Sequence, residues 1–147
     1  MRDNVEVQTL TCFSAEETYN CGKKLGRSLV SNSIVAFFGD LGSGKTTFVK
    51  GLGSGIGLNP QEITSPTFTY LNIYAGSKVL YHFDLYRLSS VDDFISMGFE
   101  DYWSAEGICC IEWSEKIRSI LPIKTITICM ESLCTDTRKI TIQNLIK

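Results

Sequence analysis

Gly39-Asp-Leu-Gly-Ser-Gly-Lys-Thr46 is the stretch whose reading decides the fold, because it spells G-x-x-x-x-G-K-[ST], the phosphate-binding P-loop. Ser33-Ile-Val-Ala-Phe-Phe38 runs into it as a short apolar, β-branched and aromatic segment that reads as a buried strand. Lys45-Thr-Thr-Phe-Val-Lys-Gly-Leu52 leaves it with helical character. Phosphate oxygens need closely spaced donors. The glycines let backbone N–H groups curl inward, and the helix that follows presents its positive N-terminus to the same point. The expected nucleotide-binding set is therefore Asp40, Leu41, Gly42, Ser43, Gly44, Lys45, Thr46 and Thr47, with Lys45 reaching the β- and γ-phosphates and the Thr46 hydroxyl ligating Mg²⁺.

At 147 residues and 44% hydrophobic content, the chain reads as one domain over residues 1–147 with a single sizeable core. Fourteen basic against sixteen acidic residues leave a net charge of −2, without a Lys/Arg run long enough to form a nucleic-acid stripe. Any RNA in the function is expected to be held mostly by a partner. No segment approaches the roughly 20 apolar residues of a membrane span, and Asp3 and Glu6 fall where a signal peptide has its apolar core. The expectation is a soluble, cytoplasmic protein that does not engage membranes. The six cysteines form no C-x-x-C pair, and Cys109-Cys110 lies in a strand-like run, so core packing of reduced thiols is expected rather than zinc or disulfides.

Working outward, Ser14-Ala-Glu-Glu17 has the spacing of a capping box, with Ala15, Tyr19, Gly22, Leu25 and Leu29 near one face of the helix it opens. After the P-loop helix, Gly51, Gly53, Gly55 and Gly57 are expected to dissolve the helix into a flexible exit. Residues 67–74 and 78–84 flank a connection short enough to force an antiparallel hairpin. A helical pattern follows over 91–103 with a break at Gly98, then a strand at Ile108-Cys-Cys-Ile111, a short helix over 115–120, and strands over 125–130 and 139–145. The fold class is a minimal P-loop α/β domain: a mixed sheet with a parallel core and an antiparallel hairpin, and helices on both faces.

A P-loop binds phosphate without hydrolysing anything, so an acid is needed at the end of a second buried strand. Glu112, closing Ile108-Cys-Cys-Ile-Glu112, has the Walker B pattern and is the expected metal partner of Thr46. Asp84, in His82-Phe-Asp-Leu-Tyr-Arg87, is a second strand-end carboxylate: it orients the attacking water or shares the Mg²⁺ shell, or else it caps the next helix or pairs with Arg87. Lys45, Asp84 and Glu112 are thus the expected catalytic residues. His82, the only histidine, is read as structural and left out of the site. In Thr64-Ser-Pro-Thr-Phe68, Thr67 is the candidate switch hydroxyl, against an ordinary strand start after proline. Trp113 reads as a rim or stacking residue, an assignment that spacing leaves open. A GTPase would carry D-x-x-G and N-K-x-D, and neither occurs; a small-molecule kinase would carry an arginine-bearing lid, but the arginines are scattered singly. An ATPase or an ATP-dependent switch subunit remains.

Four motifs in register, Gly39-Asp-Leu-Gly-Ser-Gly-Lys-Thr-Thr47, Ser65-Pro-Thr-Phe68, His82-Phe-Asp-Leu-Tyr-Arg87 and Ile111-Glu-Trp113, resemble those of the bacterial TsaE (YjeE) ATPases, from the Ser14 helix to about Arg138. The resemblance implies a role in forming N6-threonylcarbamoyladenosine at position 37 of tRNA, using ATP and Mg²⁺. The implied partners are TsaB and TsaD, with tRNA met indirectly through that complex. TsaD transfers the group, and ATP binding and hydrolysis by the TsaE-like subunit support repeated turnover. By position, Thr46 and Glu112 correspond to the family's Mg²⁺ ligands and Asp84 to its essential aspartate. Arg138 falls near a C-terminal nucleotide contact, and an N-terminal one lies within residues 14–18. Ser43 stands where alanine is common in the family, a harmless change in a loop that binds through its backbone.

Overall fold

The computed structural model describes residues 6–40, 42–66 and 68–144. Strand β2 (Ile34–Phe38) carries the P-loop motif and is buried along its whole length, as its uninterrupted apolar sequence requires of a strand covered on both faces. Its neighbours are β5 (Ile108–Glu112) and β6 (Ile126–Ser132), both parallel to it, and β4 (Leu80–Asp84) lies parallel on the far side of β5. Strands β1 (Val7–Cys12), β7 (Arg138–Gln143) and β3 (Leu71–Tyr74) complete a seven-stranded sheet in the order β1-β7-β6-β2-β5-β4-β3, with β1, β7 and β3 pairing antiparallel. The mixed sheet and the β3–β4 hairpin are as expected. Strand β3 begins later than the sequence suggested, after Tyr70 turns into the left-handed region at φ 63°.

Helices α1 (Ala15–Ser28) and α2 (Lys45–Gly55) cover one face, over Leu25, Phe37, Phe48, Val49, Leu52 and Ile128. The opposite face is covered by α3 (Val91–Ser96) and the 3₁₀ segments Phe99–Ser104 and Ser114–Ile120, over Phe83, Leu85, Phe94, Phe99, Ile111 and Ile117. Phe37 and Phe48 meet edge-on at 5.5 Å, locking the strand before the loop to the helix after it. The register pairs Ala36 with Ile111 and Asp84 with Glu112. The loop after β2 and the ends of β5 and β4 therefore leave the sheet at one carboxyl edge, where open α/β sheets bind ligands.

Ser14 caps α1 as expected, its Oγ accepting the Glu17 N–H at 3.1 Å while the Glu17 carboxylate accepts the Phe13 N–H. The buried face of α1 is shifted from the expected one: Thr18, Gly22, Leu25 and Gly26 are buried, Ala15 is exposed, and Leu29 is the C-cap. The glycines after the P-loop also behave differently from the sequence reading. Helix α2 continues through Gly51 and Gly53 to Gly55, because Gly22 and Gly26 on α1 and Gly51 and Gly55 on α2 let the two backbones touch. A Cβ at Gly51 would sit 1.9 Å from the Tyr19 carbonyl oxygen, and one at Gly22 2.2 Å from that of Phe48.

This contact gives a prediction of definite sign. In a free helix Gly51→Ala would gain about 1 kcal/mol of propensity. Here the methyl meets backbone that cannot turn away, so a loss of about 2–3 kcal/mol is expected, lowering Tm by roughly 5–10 °C. A raised Tm in a thermal scan would show that the helices are not in backbone contact.

Strand β1 was not anticipated, and Leu145, expected in the last strand, lies outside the described residues. The cysteines are free: Cys12, Cys109 and Cys110 are buried as expected, but Cys129 and Cys134 are exposed rather than packed in the core. Among the described residues, no helix is long and apolar enough to cross a membrane.

Candidate functional site

At the carboxyl edge, the loop leaves β2 through Gly39 and enters α2 at Gly44. Gly42 and Gly44 take left-handed backbone, at φ 78° and 96°, a conformation open to glycine at little cost. Among the described residues, nothing lies within 4 Å of where a Gly42 Cβ would be. Ser43 is buried, and among the described residues its Oγ has no hydrogen-bond partner. Asp40 is exposed, and its carbonyl closes the turn by accepting the Ser43 N–H at 3.1 Å. Leu41 and Thr67 lie outside the described residues.

Lys45 is buried although charged. Its Nζ donates to the Gly39 carbonyl oxygen at 2.6 Å and rests 3.5 Å from the centroid of the Trp113 ring, a cation–π contact. Burial pulls its ammonium below the ordinary lysine range, while the carboxylates of Glu112, Glu115, Asp84 and Asp40 pull the other way. The amine is thus a desolvated cation among anions, held by groups it can exchange for phosphate oxygens. Trp113 reaches this place because it adopts left-handed backbone, at φ 61°, directly after β5. It is half-buried, with one neighbour in the Lys45 amine and another in the exposed Tyr86 ring at 5.0 Å.

Thr46, in the first turn of α2, meets Glu112 at the end of β5, the Thr46 Oγ1 standing 3.2 Å from Oε1 of Glu112 and 3.4 Å from Oε2. Ser65 Oγ lies 3.1 Å from the same hydroxyl. Ser65 was missed: it belongs to the stretch singled out for a switch hydroxyl, but Thr67 was chosen from it. His82, read from the sequence as structural, reaches the same carboxylate. It is fully buried on β4, and its Nε2 is 2.5 Å from Oε2 of Glu112, so the residue set aside as structural touches the expected metal partner.

Asp84 sits beside Glu112 in register, half-buried, with Oδ1 accepting the Tyr86 N–H at 3.0 Å. Burial raises its carboxyl above the ordinary aspartate range; the Tyr86 N–H opposes this, and the nearby Glu112 charge adds to it. Arg87, the alternative partner, instead lies over the Phe68 ring at 4.7 Å. Arg138 reaches the loop from β7, donating from Nη2 to the Gly42 carbonyl at 3.2 Å. A small cleft beside it is lined by Ala15, Thr18, Gly44, Thr47, Asp136 and Arg138. The cleft brings residues from the expected N-terminal and C-terminal stretches to one place, with Thr18 lining it from the α1 side.

These residues fit a nucleotide phosphate and a magnesium ion. The left-handed glycines and the buried amine suit phosphate. The Thr46 hydroxyl and Glu112 carboxylate are hard oxygen donors of the kind Mg²⁺ takes. Among the described residues, no group of three or more His, Cys, Asp or Glu side chains could hold a metal.

Fold and site together define a mixed α/β protein with its phosphate-binding-loop motif at the carboxyl edge of four parallel central strands. Residues 12–140 match the model of the family described as "Threonylcarbamoyl adenosine biosynthesis protein TsaE". The tRNA threonylcarbamoyladenosine biosynthesis protein TsaE of Treponema pallidum is 46% identical over 129 residues, 88% of this chain and 95% of that protein. Its namesake in Bacillus subtilis is 35% identical over 127 residues, 86% of this chain and 78% of that one. The crystal structure of Bacillus subtilis YdiB superposes with a TM-score of 0.77 at 30% identity, over 97% of this chain and 88% of that one. The chain belongs to the TsaE family.

Proposed function

We propose that this chain is a Mg²⁺-dependent ATPase that serves tRNA N6-threonylcarbamoyladenosine formation in the cytoplasm, working with TsaB and TsaD and meeting tRNA through them. One observation carries the reading: the Thr46 hydroxyl and the Glu112 carboxylate converge at 3.2 Å beside the buried Lys45 amine. A hydroxyl, a carboxylate and a cation at that edge match the needs of phosphoryl transfer, which is mostly positioning and charge neutralisation. The loop N–H groups would cradle the phosphates, and Lys45 would trade the Gly39 carbonyl and the Trp113 face for phosphate oxygens. Thr46 and Glu112 would hold Mg²⁺, which when bound neutralises charge on the phosphate oxygens. Asp84, beside Glu112, would orient the attacking water. Arg138, Thr47 and Thr18 would flank the rest of the nucleotide.

A second reading is a nucleotide-gated binding module whose hydrolysis is incidental. The placement of Lys45 favours keeping it in view, since phosphate must draw the amine off Trp113 and so alters the surface beside Tyr86. Reconstitution with TsaB, TsaD, tRNA and ATP separates the two: the ATPase reading requires hydrolysis to accompany each round of modification beyond the first. Glu112→Gln keeps the shape but removes a charged oxygen ligand. It should lower Mg²⁺-dependent hydrolysis at least about tenfold and leave metal-free nucleotide binding within about threefold. An unchanged rate across a Mg²⁺ series would return Glu112 to the role of an ordinary strand end.

A further inference from the structure

Resting on that reading of the site, we propose that His82 is a positioning residue: its imidazole clamps one oxygen of Glu112 and leaves the other directed to Thr46 and the metal. His82 lies in the middle of β4, paired in register with Cys110 and fully buried. It shares a strand face with Leu80, which packs under α1 and α2, so an apolar side chain would serve the core there. An imidazole in that place must find a partner or carry a desolvation cost. Its partner is Glu112, with Nε2 2.5 Å from Oε2, a closer approach than the usual N–H···O distance.

The other ring nitrogen, Nδ1, is buried and has no hydrogen-bond partner among the described residues. An orphaned lone pair is cheaper to bury than an orphaned N–H, so the proton sits on Nε2 and is donated to the carboxylate. A carboxylate held by one oxygen cannot swing about its last torsion. Oε1, the nearer of the two oxygens to the Thr46 hydroxyl at 3.2 Å against 3.4 Å for Oε2, is thereby kept turned to the loop. Hydrogen bonds of this kind to a metal-binding carboxylate are typically worth about 10–100-fold in metal affinity or activity.

The chain has one histidine, so ¹⁵N-histidine labelling of the full-length protein reports this ring alone. The expected spectrum has a proton on Nε2, its resonance moving in Glu112→Gln. A proton on Nδ1, or a resonance indifferent to that substitution, would overturn the clamp. In a second arm, Mg²⁺ is titrated into the complex with a non-hydrolysable ATP analogue. His82→Leu should raise the half-saturating Mg²⁺ about tenfold or more while metal-free analogue affinity is unchanged. His82→Gln, whose amide N–H reaches the Nε2 position, should stay within about threefold of the parent. His82→Asn, whose amide reaches only as far as Nδ1, should resemble the leucine variant; equal behaviour of the Gln and Asn variants defeats the proposal even if His82→Leu does not fold. Should the parent's analogue binding prove indifferent to Mg²⁺, the ATPase reading fails, and the ¹⁵N spectra still decide the clamp.

Discussion

Asp84→Ala is expected to bind ATP within about threefold of the parent and to hydrolyse it at least about a hundredfold more slowly, the range typical of losing a group that handles a proton or a water in the transition state. In the proposed reading the phosphate contacts belong to the loop and Lys45, which Asp84 touches only through its charge; among the described residues its carboxylate is hydrogen-bonded to the Tyr86 N–H. The carboxylate stands in register with Glu112 at the end of the neighbouring strand, one position removed from the metal pair. On the proposed reading, removing it would disturb the place of the water and not that of the phosphates. With TsaB and TsaD present, the variant should dock in its ATP-bound form and stop after the first round. Three measurements on one protein decide the matter: nucleotide affinity, ATPase rate and modified tRNA per enzyme. Multiple turnover at the parental level despite lost hydrolysis would favour the binding module. Loss of affinity in a protein with a normal melting transition would make Asp84 a binding residue.

Lys45→Ala should lose about a hundredfold or more in ATP affinity, equivalent to about 2.7 kcal/mol, the scale of one or two charge-assisted hydrogen bonds. Its amine is buried and already stripped of water, so little desolvation remains when it exchanges the Gly39 carbonyl and the Trp113 ring for phosphate oxygens. Alanine leaves the loop's N–H groups in place but removes the only side-chain cation in the P-loop motif. Titration with a fluorescent ATP analogue reads the loss directly. Parental affinity in this variant would mean that the phosphates lie elsewhere.

The parts of the site legible in the sequence are those whose chemistry is local. The loop is a contiguous pattern, and Glu112 and Asp84 each close a short strand whose character is written in its own residues. What escaped depends on distant partners. His82 looked like an ordinary core residue because its partner is 30 positions away, and periodicity says nothing about which buried groups face each other. The glycines of α2 read as helix breakers by local propensity, yet their lack of Cβ is what admits α1, a tertiary fact that overrides the local rule. Strand β1 was missed for a related reason: of its residues only Cys12 is buried, so its apolar alternation is faint and its order comes from the β7 backbone beside it.

That last pairing sets an order of events during synthesis. Val7 and Cys12, near the start of the described chain, are matched with Gln143 and Arg138 near its end, and β7 in turn lies against β6. As the chain emerges from a ribosome, β2, α2, β4 and β5 can assemble around the loop while β7 has yet to be made. Strand β1, made before the rest of the described sheet, is thus among the last to be seated, waiting for a partner that closes a loop spanning nearly all the described residues. Until then β6 offers an unpaired edge, so the interval before β7 arrives is when a nascent chain is most exposed to pairing with a neighbour.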